Sequence, residues 1–376
     1  MVVQMAAGKM AEDSETEAVV NLATQLGLQT KVNTTQGTGS TVTEVYLLDD
    51  TTRACTLPEH IFRQLPGVDV VRRVTPSAVS LAVNGHAGHS IQVGSMRIGN
   101  NQPCVLIAGP CTVDKRVGDL AEGVRNVGCS ILRGGCWKPR SNPYSFPGFG
   151  KKAVRWLLQA AKSHAFDGAC IEVIDETHLV DVTRIADEVG YEGTIILWVG
   201  ARTDNQILLR KLGRQKRFPV MLKNPIRMRT IDEWIDRAAF VIAGEVHFDE
   251  SGRLIPERST EQGNDQILLC SRGVEHTDEK SLYRFDPHHE VIASVRRRYW
   301  TPVGVDPSHS AGTMQDDLVL RNLQTALIQE PAFALVETYF NECNGLCDAK
   351  QAIPLSRMHE VVDMLEQHNR RFASVV

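Results

Sequence analysis

A (β/α)8 barrel preceded by a small α+β module is the fold this sequence predicts, and its length, its apolar runs and their spacing carry the prediction. The chain has 376 residues, more than one ordinary small domain needs and enough for a barrel of about 250 residues plus an appended module. From residue 104 onward eight apolar strand candidates recur: VLIAG, SILRG, ACIEVI, TIILWVG, PVMLKN, ILLCSRG, TPVGVDP and FALVETY. Most are separated by helical patterns such as VGDLAEGVRNVG, GKKAVRWLLQAAKSHA and THLVDVTRIADEVG, the alternation of a parallel sheet covered by helices. A doubly wound open sheet shares that alternation, but no glycine-rich dinucleotide fingerprint follows the first strand. The TIM-type barrel is the better reading.

Ahead of the barrel, residues 1–16 are polar and acidic and read as a disordered tail. Residues 17–84 read as a ferredoxin-like α+β domain. EAVVNLATQLGL has helical periodicity, TEVYLLDD reads as a strand, LPEHIFRQLPG as a short helix and VDVVRRVTP as another strand. Residues 85–103 read as a linker and 104–370 as the barrel. Between the fifth and sixth barrel strands the spacing stretches, and FDESGRLIPE, within 244–265, reads as an inserted hairpin with Ser-Gly at its turn.

Bulk properties exclude several classes of partner. Net charge is −4 with 23% charged residues, so no nucleic-acid or membrane surface is expected and any positive field must be local. No apolar run reaches the roughly 18–20 residues of a membrane span, and the N-terminus lacks the apolar core of a secretory signal. Nine cysteines without a disulfide-scaffold spacing fit a reducing compartment. A cytoplasmic location is the expectation.

The chemistry concentrates first in ILRGGCWKPRSNPYSFPGFG, residues 131–150. It leaves a strand, passes two glycines that permit close backbone approach, and places Arg133, Lys138 and Arg140 among Trp137, Tyr144, Phe146 and Phe149. Three cations on one loop held by aromatic packing suit a phosphorylated or carboxylated small molecule. Catalytic groups of such barrels lie at the C-terminal strand ends. Those ends carry Cys111, the loop just described, Glu172, Arg202, Lys223, Arg272, Asp306 with His309, and Glu337. Thiolate, imidazole and carboxylate brought to one rim would suit a divalent transition metal.

The Lys-Pro-Arg core at Lys138, Pro139 and Arg140 closely resembles the signature loop of 3-deoxy-arabino-heptulosonate 7-phosphate (DAHP) synthases of the short microbial type, relatives of the 3-deoxy-manno-octulosonate 8-phosphate synthases. GPCTVD, DPSHS, the ALVET run and CDAKQ match, in order, the segments that supply the family's four metal ligands. The resemblance therefore implies a metal site of Cys111, His309, Glu337 and Asp348 holding Mn2+, Fe2+, Co2+ or Zn2+. It implies phosphoenolpyruvate contacts at Arg133, Lys138, Ala201, Arg202, Lys223 and Arg272. Pro139, Arg140, Ser141, Asn142 and Asp306 would meet the aldose phosphate, and Lys138, Asp306 and His309 would take the catalytic roles.

The implied reaction joins C3 of phosphoenolpyruvate to the aldehyde carbon of erythrose 4-phosphate, adds water at C2 and expels phosphate. It opens the shikimate route to aromatic amino acids. Lys138 would serve as a proton donor if Arg133 and Arg140 lower its pKa. A homo-oligomer, dimer or tetramer, and an N-terminal domain that binds an aromatic amino acid are further implications. The sequence departs from the family pattern at Ser141-Asn142 after Lys-Pro-Arg, at Ser271 before Arg272, and at Thr338-Tyr339 after Glu337. These departures keep open a relative that condenses phosphoenolpyruvate with another aldose phosphate, arabinose 5-phosphate included. A non-catalytic regulatory barrel is the third reading, and the full set of ligand and cation positions argues against it.

Overall fold

The structure, a computed structural model, describes residues 1–48, 59–72, 89–140, 142–203, 205–243, 246–250, 263–275, 281–311, 316–340, 346–347 and 351–373. The chain divides into two compact units, Met1–Ala82 with Ala243–Gln262, and Val83–Ile242 with Gly263–Val376.

The first unit is an antiparallel sheet with helices. Its strands are β1 (Val2–Met5), β2 (Gln29–Gln36), β3 (Thr41–Leu48) and β4 (Val68–Arg72). They lie in the order β2-β3-β1-β4, the βαββαβ order of a ferredoxin-like domain. Helix α1 (Ser14–Gln25) buries Val19 and Ala23 in a core with Val3, Met5, Val45, Leu47, Phe62 and Val71. The expectation of a disordered tail over 1–16 is corrected here. Val3 and Met5 face the core in alternation with Val2 and Gln4, and β1 hydrogen-bonds to a neighbour on each edge. Strand β2, QTKVNTTQ, was not anticipated either. It is an edge strand with no fully buried residue, so no apolar alternation marks it. Short helix α2 (His60–Arg63) falls where LPEHIFRQLPG places one.

In the second unit eight parallel strands close a ring: β7 (Val105–Gly109), β8 (Ile131–Gly134), β9 (Gly168–Val173), β10 (Thr194–Val199), β11 (Val220–Lys223), β12 (Ile267–Ser271), β13 (Val303–Val305) and β14 (Phe333–Tyr339). Val305 pairs with Ala334, which joins the last strands and rules out an open sheet. Each of the eight coincides with a strand candidate of the sequence. Helices alternate with them, for example α3 (Val117–Asn126), α4 (Lys151–Ser163) and α5 (Thr177–Val189).

The stretch 85–103 is more than a linker. Strands β5 (Ser90–Val93) and β6 (Met96–Gly99) form a hairpin whose Ile91, Val93 and Ile98 pack with Val105, Ile107, Ile131, Met221, Leu268 and Phe333 in the barrel core. A short strand, β15 (Ile353–Pro354), adds to β14 through Thr338 and Tyr339. The hairpin expected at 248–257 lies largely outside the described residues.

Candidate active site

Side chains along a strand alternate in direction, so a barrel interior is read every second residue. Along β8 the interior sequence is Ile131 then Arg133; along β9, Cys170 then Glu172; along β11, Met221 then Lys223; along β14, Phe333, Leu335, then Glu337. Lower members of each series belong to the apolar core, and the last is ionisable. All four last members are buried, Arg133 and Glu337 completely. Trp198, last of its series on β10, lies beneath the charges, 4.9 Å from the Arg133 guanidinium and 5.6 Å from Lys223 Nζ.

The βα loops add the other groups. Residues after β7 continue its pairing with the run after β8: Gly135 N donates to Cys111 O at 3.2 Å, and Val113 N donates to Gly135 O at 3.0 Å. A Cβ on Gly135 would lie 2.3 Å from Cys111 O and 2.9 Å from Lys138 Nζ. The glycine thus lets one loop approach another rather than a ligand. Lys138 N donates to Pro147 O and Gly150 N to Cys136 O, each at 2.9 Å, which brings Pro147 and Gly150 back against Lys138 and Cys136. Trp137 stacks on His178 with centroids 3.7 Å apart. Phe146 and Phe149 pack on each other, whereas Tyr144 is 96% exposed and holds nothing in place.

The buried cations are matched by buried carboxylates. Lys138 Nζ lies 3.2 Å from Glu172, Arg133 Nη2 lies 3.1 Å from Glu337 Oε1, and Lys223 Nζ lies 2.5 Å from Asp306. The positive charge of these cations is therefore balanced within the protein. The carboxylates also overturn the anticipated fall of the Lys138 pKa. Burial would lower it, but Cys111, Glu172 and Glu337 together outweigh burial and the nearby Arg133, and the net direction is upward. Glu337 is driven down to about 2: burial would raise it, and His309 and Arg133 prevail.

Cys111, His309 and Glu337 each offer a ligand atom, and these atoms lie within 4.8 Å of one another. His309 Nδ1 is 2.7 Å from Asp306 Oδ2, and its Nε2 is 3.5 Å from Glu337 Oε1. The carboxylate thereby fixes the tautomer and turns Nε2 toward the cluster, the outer-shell arrangement common to metal-bound histidines. Fully buried Glu337 Oε1 has no hydrogen-bond partner among the described residues despite the nearby guanidinium. Thiolate, imidazole and a carboxylate oxygen without a hydrogen-bond donor among the described residues fit a divalent transition ion. Asp348 and Ser141 lie outside the described residues. Burial pushes the Cys129 thiol up to about 11 and the Cys170 thiol up to about 12.

A cleft beside this cluster is lined by Lys138, Pro139, Arg140, Glu172, Gly200, Ala201, Arg202, Lys223, Arg272 and His309. Arg133 lies behind it, its Nε and Nη1 without hydrogen-bond partners among the described residues. Arg272 is buried, with its guanidinium carbon 4.0 Å from the Phe285 ring centroid, while Arg202 is exposed. Arg140 Nε donates to Phe146 O at 2.8 Å, and its Nη2 reaches Cys347 Sγ. Asn142 is exposed, and its Oδ1 accepts from Tyr144 N. Asp306 is fully buried behind Lys223 and His309, so it orients those groups rather than facing the cleft.

The sequence singles out neither Asn224 nor Ser308. Asn224 accepts from Arg272 N at 2.8 Å and donates to Gly273 O at 2.9 Å, setting the strand end that carries Arg272. Ser308 Oγ accepts from Glu337 N at 3.0 Å. Their only sequence signal is adjacency to a site residue. At the departures after Glu337, Thr338 Oγ1 donates to Ile353 O and Tyr339 OH to Asp114 Oδ2.

The family model for DAHP synthetase I matches residues 79–373. The chain belongs to the DAHP synthetase I family. Within that relationship, a phospho-2-dehydro-3-deoxyheptonate aldolase of Thermotoga maritima is 30% identical over 280 residues, 74% of this chain and 73% of its own. A 2-dehydro-3-deoxyphosphooctonate aldolase of Alkalilimnicola ehrlichii is 25% identical over 292 residues, 72% of this chain and 92% of its own. Among solved structures, the Thermotoga maritima DAHP synthase matches with a TM-score of 0.73 at 26% identity, across 100% of this chain and 97% of that one. A truncated form of the Thermotoga maritima enzyme matches 78% of this chain and 97% of its own, with a TM-score of 0.63 and 26% identity.

Proposed function

We propose that this chain is a DAHP synthase, condensing phosphoenolpyruvate with erythrose 4-phosphate to give DAHP and phosphate. The observation that carries the reading is one barrel mouth holding two adjoining features: an anion cleft lined by Lys138, Arg202, Lys223 and Arg272, and the cluster of Cys111, His309 and Glu337. Phosphoenolpyruvate bears about three negative charges on three carbons, and Arg and Lys converging on it neutralise them. Arg133, Lys138, Arg202, Lys223, Arg272 and the Ala201 backbone are assigned to it. Arg140, with Pro139, Ser141 and Asn142, is assigned to the aldose phosphate.

A divalent ion held by Cys111, His309, Glu337 and Asp348, of the Mn2+, Fe2+, Co2+ or Zn2+ type, supplies Lewis acidity toward a carbonyl or a water. The protein's own groups do the rest. Asp306 holds His309 by Nδ1. Glu172 and Cys111 O hold Lys138 Nζ, each at 3.2 Å. As C3 of phosphoenolpyruvate bonds to the aldehyde carbon, the carbonyl electrons move to oxygen. Lys138 hydrogen-bonds to that alkoxide and protonates it, because an alkoxide is a stronger base than a lysine amine even of raised pKa. Water adds at C2, and the C2–O bond breaks with its electrons leaving on phosphate, which yields the 2-keto acid. Arg202, an exposed cation of the cleft, is assigned to the phosphate that must depart, a role its exposure supports.

A second reading, condensation with arabinose 5-phosphate or another aldose phosphate, draws on exposed Asn142 in place of a second hydroxyl. Phosphate release from phosphoenolpyruvate with a panel of aldose phosphates separates the two. The first reading predicts that erythrose 4-phosphate gives the highest kcat/KM; a preference for a five-carbon aldose phosphate replaces it with the second. We also propose a cytoplasmic homo-oligomer whose N-terminal domain binds an aromatic amino acid, by family likeness. Among the described residues no helix is long and apolar enough to cross a membrane.

A further inference from the structure

Gln351 belongs to none of the groups so far given a part in binding or catalysis, yet its side chain ends on a fully buried carboxylate of the site. It is fully buried, and its Nε2 donates to Glu337 Oε2 at 2.6 Å. Glu337 therefore has two unlike oxygens. Oε2 is committed to an amide donor; Oε1 faces His309 Nε2 at 3.5 Å and the Arg133 guanidinium at 3.1 Å, with no hydrogen-bond partner among the described residues. The Gln351 carbonyl Oε1 likewise has no partner among the described residues.

Its backbone is anchored to the strand it serves. Two residues on, Ile353 pairs with Thr338 in the β14–β15 ladder, and Thr338 Oγ1 donates to Ile353 O at 2.8 Å. Ser308 Oγ accepts from Glu337 N at 3.0 Å on the other side. The acid is thus fixed at its main chain and at one carboxylate oxygen.

We propose that Gln351 is a positioning residue for metal binding. By occupying Oε2 it leaves Oε1 as the one oxygen Glu337 presents beside Cys111 and His309. This rests on the metal reading of the site given above. Outer-shell hydrogen bonds of this kind change metal affinity by about 10- to 100-fold.

The test uses the full chain, stripped of metal and titrated with Mn2+, followed by the electron paramagnetic resonance of the free ion, and with Co2+, followed by its thiolate charge-transfer absorption. Gln351→Met keeps the volume and removes the donor, and it is expected to weaken Mn2+ and Co2+ binding about 10- to 100-fold while the Co2+–thiolate band still forms at saturation. Should Gln351→Met fail to fold, Thr338→Val, which loosens the anchor and leaves the amide, is expected to weaken binding by about threefold or more. A folded Gln351→Met protein with wild-type affinity overturns the proposal, as does a Thr338→Val protein unchanged where the first variant is lost. Wild-type protein that binds neither ion overturns the metal reading itself, a distinct outcome.

Discussion

Substituting Gly135 by alanine tests whether the thiol loop and the lysine loop function as one structure. The added Cβ would lie 2.3 Å from Cys111 O and 2.9 Å from Lys138 Nζ. Carbon–oxygen contacts are comfortable only near about 3.5 Å, so the loops must part by roughly 1 Å. The bonds Gly135 N to Cys111 O and Val113 N to Gly135 O, at 3.2 and 3.0 Å, lie across the parting line. Overpacking of this kind costs about 1–3 kcal/mol of stability. A misplacement of about 1 Å among reacting groups costs about 100-fold in rate. The assay is kcat/KM for phosphate release at saturating metal, with Tm alongside. Gly118→Ala is the control, since its Cβ meets nothing within 4 Å on α3. Alanine there should raise stability by roughly 0.5–1 kcal/mol and leave activity unchanged. A Gly135→Ala enzyme within about threefold of wild type in kcat/KM would refute the reasoning.

Other substitutions probe separate parts of the site. Glu172→Gln removes a charge 3.2 Å from Lys138; at an effective dielectric near 20 that attraction is worth at most about 5 kcal/mol. Because the amide can still accept a hydrogen bond, a loss near the lower end of about 3–5 kcal/mol in denaturant unfolding is expected, with a lower KM for phosphoenolpyruvate because the cleft becomes more positive. Asn224→Ala should raise that KM by about tenfold with a smaller change in kcat, since it frees the Arg272 strand end at a cost of about 1–3 kcal/mol; an unchanged KM would remove Asn224 from the account. Burial holds the His178 pKa below its ordinary value, and its Nδ1 accepts from Ile174 N at 3.3 Å. The unfolded chain then takes up the proton first as pH falls below about 6.5, so this residue's share of stability is present above that pH and is lost on acidification. His178→Phe keeps a ring against Trp137 and should flatten the dependence of unfolding free energy on pH between 7 and 5; an unaltered slope would contradict the assignment.

Much of this was legible in the sequence because barrel strands are buried on both faces and read as plain apolar runs. The same strands announce the site, for the two-residue step from Ile131 to Arg133, or from Met221 to Lys223, changes character at the strand's end. Less could be read where structure depends on partners far away in the chain. The pairings of Lys223 with Asp306 and of Arg133 with Glu337 join groups from different parts of the chain, and without such partners the sequence shows only the cations that would lower the Lys138 pKa. Strand β1 escaped notice because four residues are too few to establish a period beside a polar, acidic stretch, and β2 because an edge strand of Thr, Gln and Asn carries no apolar face. Hairpin β5–β6 resembles a linker until its three aliphatic residues are seen closing the barrel floor.

Phosphate release from phosphoenolpyruvate and erythrose 4-phosphate, followed through removal and return of metal, bears most directly on the claim that one barrel mouth joins an anion cleft to a metal cluster. The account predicts that chelator-stripped protein is silent, that a divalent transition ion at about one equivalent per chain restores release, and that Cys111→Ala stays silent at the same ion concentration. Full turnover by the stripped protein, or by Cys111→Ala in the presence of chelator, would contradict it.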